Sequence, residues 1–189
     1  QPVIGAYLAE GIDIDTDGAY TARSAGVYDA ICDRSMLLLW EHRACQPALE
    51  AAVANLTLNL HMLHADGTIE TGVSTRQDYG KRPVPSALAL PYLMANRAAP
   101  DERFVAAADL IWTQGRGDAP GLTGHMLKHG EPPEACKPAV LFDFRRAFPH
   151  IGLWRSRRGA TSATAFRGAT RLFRLVFGRA ELTSVKISQ

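Results

Sequence analysis

The sequence predicts an α+β protein in which a helical region precedes an antiparallel β-sheet. Apolar residues recur at helical spacing up to about residue 130. After Pro138 the pattern changes to alternation, in short segments separated by turn residues. This change, together with the linker-like run Glu131-Pro-Pro-Glu134, places a boundary near residues 131–138. We therefore expect a helical domain over 1–134 and a sheet domain over 135–189.

The first two predicted helices form the larger part of the helical region. The first spans about Ser24 to Arg43, and its apolar surface is wide enough to predict burial on more than one side. Val27, Ile31, Leu38 and Leu39 are expected to share a face, and Met36, Leu37 and Trp40 widen it. The second has Pro47 in its first turn and then the clearest amphipathic spacing in the chain. That spacing is carried by Leu49, Val53, Leu56, Leu60 and Leu63.

Further helices are predicted between Pro85 and the linker. One runs from about Ser86 to Arg97 and is bounded by prolines on both sides. The next has Asp101 as its N-cap. Its inner side is expected to carry Phe104, Val105, Ala108, Ile111 and Trp112. A short helix through Met126 follows a loop over 115–124.

Five strands are predicted after the linker, at residues 140–144, 152–156, 160–166, 171–177 and 181–187. Glycines stand where consecutive strands need turns, at Gly159, Gly168 and Gly178. Because connections this short join strands as hairpins, we expect an antiparallel sheet.

Two Asp-Gly loops resemble one another within the helical region. Asp17-Gly18 and Asp66-Gly67 lie 49 residues apart, and each pair is followed by Ser, Arg and Tyr side chains. Because this interval equals the length of a helix–loop–helix unit, it predicts stacked helical hairpins.

Composition excludes a membrane-spanning chain and favours a folded one. Hydrophobic residues make up 47% of the sequence, which indicates a sizeable core. No apolar run approaches the roughly 20 residues of a transmembrane helix, so no membrane partner is expected. The first residues lack the basic start and apolar centre of a signal peptide. Because the chain lacks an initial Met and ends within a predicted strand, we expect it to be part of a longer protein.

The potential metal ligands are sparse. Cys32, Cys45 and Cys136 form no Cys-x-x-Cys pair, so free thiols are expected. His125 and His129 are four residues apart and could share a helix face. Because the Glu of the zinc-protease motif does not accompany them, we expect no metal. No Gly-rich phosphate loop or dinucleotide fingerprint is present, so no cofactor is expected either.

The charge is distributed asymmetrically along the chain. Residues 1–138 carry 11 Lys and Arg against 17 Asp and Glu, whereas residues 139–189 carry 10 against 2. Two interpretations stay open: the arginines alternate outward on the strands, or they meet an anionic ligand or an acidic neighbouring surface. Nucleic acid is not an expected partner, because the aromatic side chains that a base-stacking platform needs are sparse among these arginines.

Three stretches carry a resemblance to a known family. The first, Asp17-Gly-Ala-Tyr-Thr-Ala-Arg-Ser-Ala-Gly-Val-Tyr28, has an Asp-Gly turn, an aromatic residue, a Ser and a Tyr on the next helix. The second runs from Leu63-His-Ala-Asp-Gly-Thr-Ile-Glu-Thr to Arg76-Gln-Asp-Tyr-Gly80, and the third is Phe148-Pro-His-Ile-Gly-Leu-Trp-Arg155. The first two resemble successive loops of the heparinase II/III-like proteins, and the third resembles the start of their C-terminal β-sandwich.

The resemblance implies the C-terminal part of an (α/α) toroid of helical hairpins, followed by the first strands of an antiparallel β-sandwich. Known enzymes of this family are polysaccharide lyases that act on uronic-acid glycans, which implies an acidic polysaccharide partner. The compartment stays open, and the resemblance is compatible with a periplasmic or extracellular location. The earlier toroid helices, which supply a catalytic Asn or His in the family, have no counterpart in this chain. Because an incomplete toroid leaves apolar helix faces uncovered, we expect association with another copy or with the remainder of the protein.

A lyase of this kind removes the proton beside a uronate carboxylate and expels the glycosidic oxygen by β-elimination. The carboxylate must be neutralised, a base must take the proton, and an acid must meet the leaving oxygen. Tyr28 lines up with the family's catalytic Tyr, and a nearby cation such as Arg23 favours a phenolate. These two residues are the expected catalytic residues. The residues expected to bind substrate are Tyr20, His64, Arg76, Tyr79 and Arg82.

Other roles remain open for several of these residues. Tyr28 could be a core tyrosine whose hydroxyl finds a backbone partner, and Tyr20 could pack instead of stacking on a sugar. Glu70 and Asp78 could hold sugar hydroxyls, whereas Asp66 also suits the turn that it forms with Gly67. Because a fold does not determine a function, the alternative is a non-catalytic glycan-binding or structural helical module.

Overall fold

The computed structural model has an α+β architecture and describes residues 5–6, 9–115, 121–130, 143–168 and 172–183. Its helices are α1 (Tyr28–Arg43), α2 (Gln46–Met62), a 3₁₀ helix (Ser86–Leu88), α3 (Ala89–Ala98), α4 (Glu102–Gln114) and α5 (Leu122–His129). Its strands are β1 (Phe144–Phe148), β2 (Leu153–Arg158), β3 (Thr161–Phe166), β4 (Phe173–Phe177) and β5 (Ala180–Thr183). These strands form an antiparallel sheet in which each strand pairs with the next along the chain.

The periodic pattern predicted α2 and α4 well. Pro47 lies in the first turn of α2, and Leu49, Leu56 and Leu60 are buried along it. At the start of α4 the Asp101 carboxylate accepts a hydrogen bond from the backbone N–H of Arg103, which confirms the predicted cap. The one wrong assignment on α4 is Trp112, which is 39% exposed.

The predicted buried surface of the first helix is wrong for Ile31 and Leu38 and right for Leu37. Ile31 is 56% exposed and Leu38 is 36% exposed, whereas the buried residues of α1 are Asp29, Ala30, Asp33 and Leu37. The physical reason is that the two carboxylates find hydrogen-bond donors inside the protein, from Asn59 of α2 and from the Tyr20 phenol. Apolar spacing alone therefore identified the helix but not the face that it buries.

Most of the predicted strands are present. The strands β2 to β5 lie within a few residues of their predicted positions. The first described strand covers Phe144–Phe148, whereas residues 140–142 of the predicted first strand lie outside the described residues. Its sequence, Phe-Arg-Arg-Ala-Phe, does not alternate, and its position is set by pairing with β2. The predicted linker and domain boundary at 131–138, Cys136 and the end of the fifth predicted strand lie outside the described residues.

The helices and the sheet share one apolar cluster. Phe148, Ile151, Leu153 and Phe166 of the sheet region belong to the same buried cluster as the apolar side chains of the helices. The approach is close at Gly72, where an added Cβ would lie 2.4 Å from the Phe166 ring. The sheet therefore packs directly on the loop that joins α2 to the 3₁₀ helix.

The two Asp-Gly loops have equivalent backbone geometry at the offset of 49 residues. Antiparallel bridges join Ile14 to Tyr20 in the first loop and Leu63 to Ile69 in the second. Gly18 has φ +90° and Gly67 has φ +77° at equivalent places in the two turns. Since α1 packs on α2 and α3 packs on α4, the sequence repeat corresponds to two successive helical hairpins.

Candidate functional site

Tyr28 lies on an exposed surface where the two Asp-Gly loops meet. It is the first residue of α1, its side chain is 36% exposed, and the Arg76 guanidinium lies over its ring at 5.4 Å from the centroid. The loops are joined beside it, because the backbone N–H and the hydroxyl of Thr75 donate to the Ala22 carbonyl at 3.3 and 2.9 Å. The structure therefore brings Tyr28 and Arg76 together although they are far apart in sequence.

Arg23 borders a pocket of about 360 Å³ on the same pair of loops. Its backbone adopts a left-handed conformation with φ +47°, and its Nη2 donates to the His150 carbonyl at 3.4 Å. The pocket is lined by Asp13, Ile14, Asp15, Ala19, Thr21, Arg23 and Thr75. Tyr28 and Arg76 do not line this pocket, but Thr75, the residue before Arg76, does.

Asp78 is buried beneath this surface and accepts hydrogen bonds from both loops. Its Oδ1 accepts hydrogen bonds from Ser24 and Ser74 at 3.0 and 2.5 Å, and its Oδ2 accepts one from the Gly26 N–H at 2.9 Å. Asp78 is only 2% exposed. The expectation that it holds a sugar hydroxyl is therefore wrong, and its role is to position the loop ends that carry Tyr28 and Tyr79.

Tyr20 faces the interior and packs between α1 and the first loop. Its hydroxyl donates to Asp33 Oδ1 at 3.0 Å, and the residue is 6% exposed. Burial and the neighbouring Asp33 carboxylate raise the pKa of the phenol, so it stays protonated. This environment corrects the prediction that Tyr20 contacts substrate and favours the packing role instead.

His64 is also buried, at the seam between the second loop and the sheet. Its Nδ1 accepts hydrogen bonds from Ser162 Oγ at 2.6 Å and from Arg155 Nη2 at 3.1 Å. Burial and the surrounding arginines hold its pKa well below the usual value, so the ring is neutral. At 1% exposure it cannot reach a glycan in this conformation, which corrects its prediction as a substrate-binding residue.

Glu70 is the centre of a buried charge cluster at this seam. Its carboxylate accepts hydrogen bonds from Arg174 Nη1 at 2.6 Å and from Thr164 Oγ1 at 3.1 Å, and Arg155 Nη1 lies 3.7 Å away. Glu70 and Arg155 are completely buried, and Arg174 is 3% exposed. Glu70 is therefore not a sugar ligand, and the sheet arginines meet an acidic neighbouring surface within the protein.

Ser162, His64 and Glu70 together have the residue types of a hydrolytic triad. The His64 Nε2 lies 3.9 Å from Glu70 Oε2, and Ser162 lies on the Nδ1 side of the ring. All three residues are at most 2% exposed, so a substrate has no access to the Ser162 hydroxyl. Since Arg155 also donates to Nδ1, the geometry is that of a structural hydrogen-bond network.

The remaining two predicted binding residues differ in their environments. Tyr79 is 43% exposed and lies in the loop segment that also contains Arg76. The Arg82 Nη2 donates to Asp66 Oδ2 at 3.2 Å and to the Gly178 carbonyl at 3.1 Å, and Glu181 lies 3.7 Å from its Nη1. Arg82 is thus engaged in contacts at the seam, whereas the Tyr79 side chain is partly exposed at the surface.

The buried arginines at the seam were not predicted as a cluster from the sequence. Arg155, Arg157 and Arg174 are buried, and Nη atoms of Arg155 and Arg157 both donate to the Leu63 carbonyl at 3.1 Å. The available signal was the excess of arginines after residue 138 and their placement at alternate positions of β2. Outward alternation, one of the two interpretations left open, is wrong for these three residues.

The described residues contain no group of three or more His, Cys, Asp or Glu side chains arranged to hold a metal ion. The His125 and His129 rings lie close together, with centroids 4.7 Å apart. No helix in the described part of the chain has the length and apolarity needed to cross a membrane. The sequence matches no protein-family model, no curated protein and no solved structure.

Proposed function

We propose that this chain contributes an acid–base site to a polysaccharide lyase that cleaves uronic-acid glycans, with Tyr28 as the proton-transfer group. The observation that carries the proposal is the exposed Tyr28 side chain with the Arg76 guanidinium over its ring. The Arg23 pocket, which Thr75 also lines, gives a sugar a place to lie. Exposure matters because a general acid or base must come within hydrogen-bond reach of the proton that it transfers.

The proposed reaction is a β-elimination. A base takes the proton from the carbon that bears the uronate carboxylate, the bond to the glycosidic oxygen breaks, and a double bond forms between the two ring carbons. The leaving oxygen receives a proton from an acid. Tyr28 serves in this proton transfer, and Arg23 and Arg76 neutralise the carboxylate on which charge develops. Tyr79 provides a ring for sugar stacking at the edge of the site.

The experiment that tests the proposal is a lyase assay on the full-length protein that contains this chain. Unsaturated products raise the ultraviolet absorbance of the solution, so a panel of uronate glycans is screened for that rise. On a glycan that gives product, we expect Tyr28→Phe to lower kcat by about 100-fold or more, which is the usual contribution of a general acid or base.

The matched control is Trp112→Phe, which alters an exposed aromatic side chain on α4, outside the proposed site. We expect its turnover to equal that of the wild type. Unchanged turnover in Tyr28→Phe would remove Tyr28 from the mechanism, whereas equal losses in both variants would indicate general damage to the fold.

The second candidate function is a non-catalytic glycan-binding or structural module. It is favoured by the structural use of the loop carboxylates: Asp17 accepts the backbone N–H groups of His150 and Ile151, while Glu70 and Asp78 are buried. In this case the same glycan panel gives binding, measured by calorimetry, without any rise in absorbance. A protein that forms unsaturated product excludes this alternative.

We also propose a finer fold, in which α1 to α4 are hairpins of an (α/α) toroid and the sheet is one layer of a β-sandwich. The equivalent Asp-Gly loops support the toroid, because they recur at one position of successive hairpins. Exposed apolar side chains on the strands, Trp154, Phe177 and Leu182, support a second layer. A crystal structure of the full-length protein tests this assignment, and a sheet covered by helices on both faces would contradict it.

A further inference from the structure

The interface between α1 and α2 buries an unusual concentration of side-chain oxygen atoms. Asp29 and Asp33 lie one turn apart on α1, and Asn55 and Asn59 lie one turn apart on α2. Asp29 is 3% exposed and the other three residues are fully buried. Buried carboxylates are ordinarily paired with a cation or neutralised, because their charged form is costly to remove from water.

The donors in this interface are too few for the acceptors. The Asn59 amide Nδ2 donates to Asp29 Oδ2 at 3.2 Å and to Asn55 Oδ1 at 2.8 Å, while the Tyr20 hydroxyl donates to Asp33 Oδ1. Three oxygens have no hydrogen-bond partner among the described residues, namely Asp29 Oδ1, Asp33 Oδ2 and Asn59 Oδ1. Each of these atoms could accept a bond that the protein does not provide.

The surroundings supply no compensating positive charge. The titratable groups that influence the two carboxyls are the phenols of Tyr20 and Tyr92, the Cys32 thiol and the Asp78 carboxylate. None of these groups is cationic, and no described Lys, Arg or His forms an ion pair with either carboxylate.

We propose that this interface binds a hard divalent cation, Ca²⁺ or Mg²⁺, through Asp29, Asp33 and Asn59. Carboxylate and carboxamide oxygens are the ligands that these ions prefer. The Asn59 carboxamide oxygen is the third buried oxygen without a partner, and the nitrogen of the same amide donates a hydrogen bond to Asp29. The bound ion joins α1 to α2 and stabilises the first helical hairpin, independently of any activity at Tyr28.

The test uses the whole chain, freed of metal with a chelator that is then removed. Thermal unfolding at pH 7.5 is compared without added metal and with excess CaCl₂ or MgCl₂, and binding is measured directly by calorimetry. We expect at least one of the two ions to bind and to raise Tm by about 5 °C at saturation. Asp33→Asn, which keeps the shape of the side chain and removes its charge, should abolish the shift and the binding heat.

Two further variants test whether the ion binds at this interface and whether its affinity depends on the ligand charge. Glu50→Gln removes an exposed carboxylate from the same hairpin and should retain the full shift. Asn59→Asp adds a third carboxylate to the site and should bind the ion about tenfold more tightly, since ligand charge tunes the affinity of such sites. A loss of the shift in Glu50→Gln would overturn the proposal, because it would indicate surface binding.

The competing possibility is that protons alone neutralise the pair. Burial raises the pKa of the Asp29 carboxyl to about 6, so the folded state then binds more protons than the unfolded state. Stability therefore falls as pH rises from about 4 through 6 and above. A Tm that falls over this range and is unchanged by CaCl₂, MgCl₂ or chelator would overturn the proposal. With a bound cation, added metal reverses the fall near neutral pH, and the affinity for the ion weakens on acidification.

Discussion

Two tyrosines of the first loop segment show how the environment of a single side chain limits its chemistry. Tyr20 and Tyr28 are eight residues apart, yet Tyr20 is 6% exposed and Tyr28 is 36% exposed. The Tyr20 hydroxyl is committed to Asp33, and its phenolate is disfavoured by burial and by that carboxylate. Tyr28 has a cation over its ring and solvent at its edge. Of these two tyrosines, Tyr28 is the one whose side chain is exposed to solvent.

This contrast leads to a prediction about stability. Tyr20→Phe leaves Asp33 without its hydroxyl donor inside the protein, so we expect the free energy of unfolding to fall by about 1–3 kcal/mol. Tyr28→Phe removes a hydroxyl from the surface, and we expect a change within about 0.5 kcal/mol. Urea denaturation followed by circular dichroism measures both values. Equal losses in the two variants would contradict the assignment of Tyr20 to the core and Tyr28 to the surface.

At the scale of elements, the two Asp-Gly loops share one backbone design but differ in what surrounds it. An added Cβ at Gly18 would lie 2.6 Å from the Ala54 carbonyl oxygen, which belongs to the backbone of α2. At Gly67 it would lie 2.6 Å from the Gln114 side chain, which can move. Both glycines have positive φ. The first loop is therefore held against a rigid helix backbone and the second against a flexible side chain.

We therefore expect Gly18→Ala to cost more stability than Gly67→Ala. Both variants carry the left-handed conformation of a non-glycine residue, which costs about 1–2 kcal/mol. Gly18→Ala adds a clash with backbone, worth a further 1–3 kcal/mol or so. The measurement is the urea midpoint of each variant, with Gly124→Ala on α5, where an added Cβ has open space, as the control. A larger loss in Gly67→Ala would contradict this account.

Sequence periodicity predicted elements better than faces or contacts. The spacing of leucines identified α2, and Asp101 identified the start of α4, because both signals are local. The buried face of α1 could not be predicted in this way. Its two aspartates are tolerated inside only because donors from a distant loop and from α2 reach them. Such partners are set by tertiary packing, which the spacing of residues within one helix does not encode.

The predicted site residues also differ in whether their burial could be predicted from local sequence. Tyr28, Arg76 and Tyr79 were predicted from short motifs, and the structure leaves all three exposed. His64 was predicted from a motif too, but it is buried against Arg155 and Ser162, which lie 91 and 98 residues further along the chain. Motifs alone could not distinguish the surface of the loops from the side that the sheet covers.

The charge asymmetry of the sequence corresponds to a buried contact between the acidic helical part and the basic sheet. The acidic helical part meets the basic sheet where Glu70 contacts Arg174 across a sequence separation of 104 residues. Asp17 of the first loop also binds the β1–β2 turn through the backbone N–H groups of His150 and Ile151. The Asp-Gly loops thus hold the sheet on one side and present Tyr28 on another, so the seam positions the proposed site.

The buried position of Glu70 leads to a prediction about stability. Glu70→Gln removes the buried carboxylate that Arg155 and Arg174 share and leaves Arg174 with only the more exposed Glu181. We expect the free energy of unfolding to fall by about 3–5 kcal/mol. The matched control is Glu181→Gln, because Glu181 contacts the same Arg174 at 3.1 Å but is 29% exposed, and its loss should cost less than about 1 kcal/mol. Urea unfolding is followed by circular dichroism for the helices and by tryptophan fluorescence. Equal losses in the two variants would show that the arginines are stabilised by solvent-exposed partners and not by the buried carboxylate.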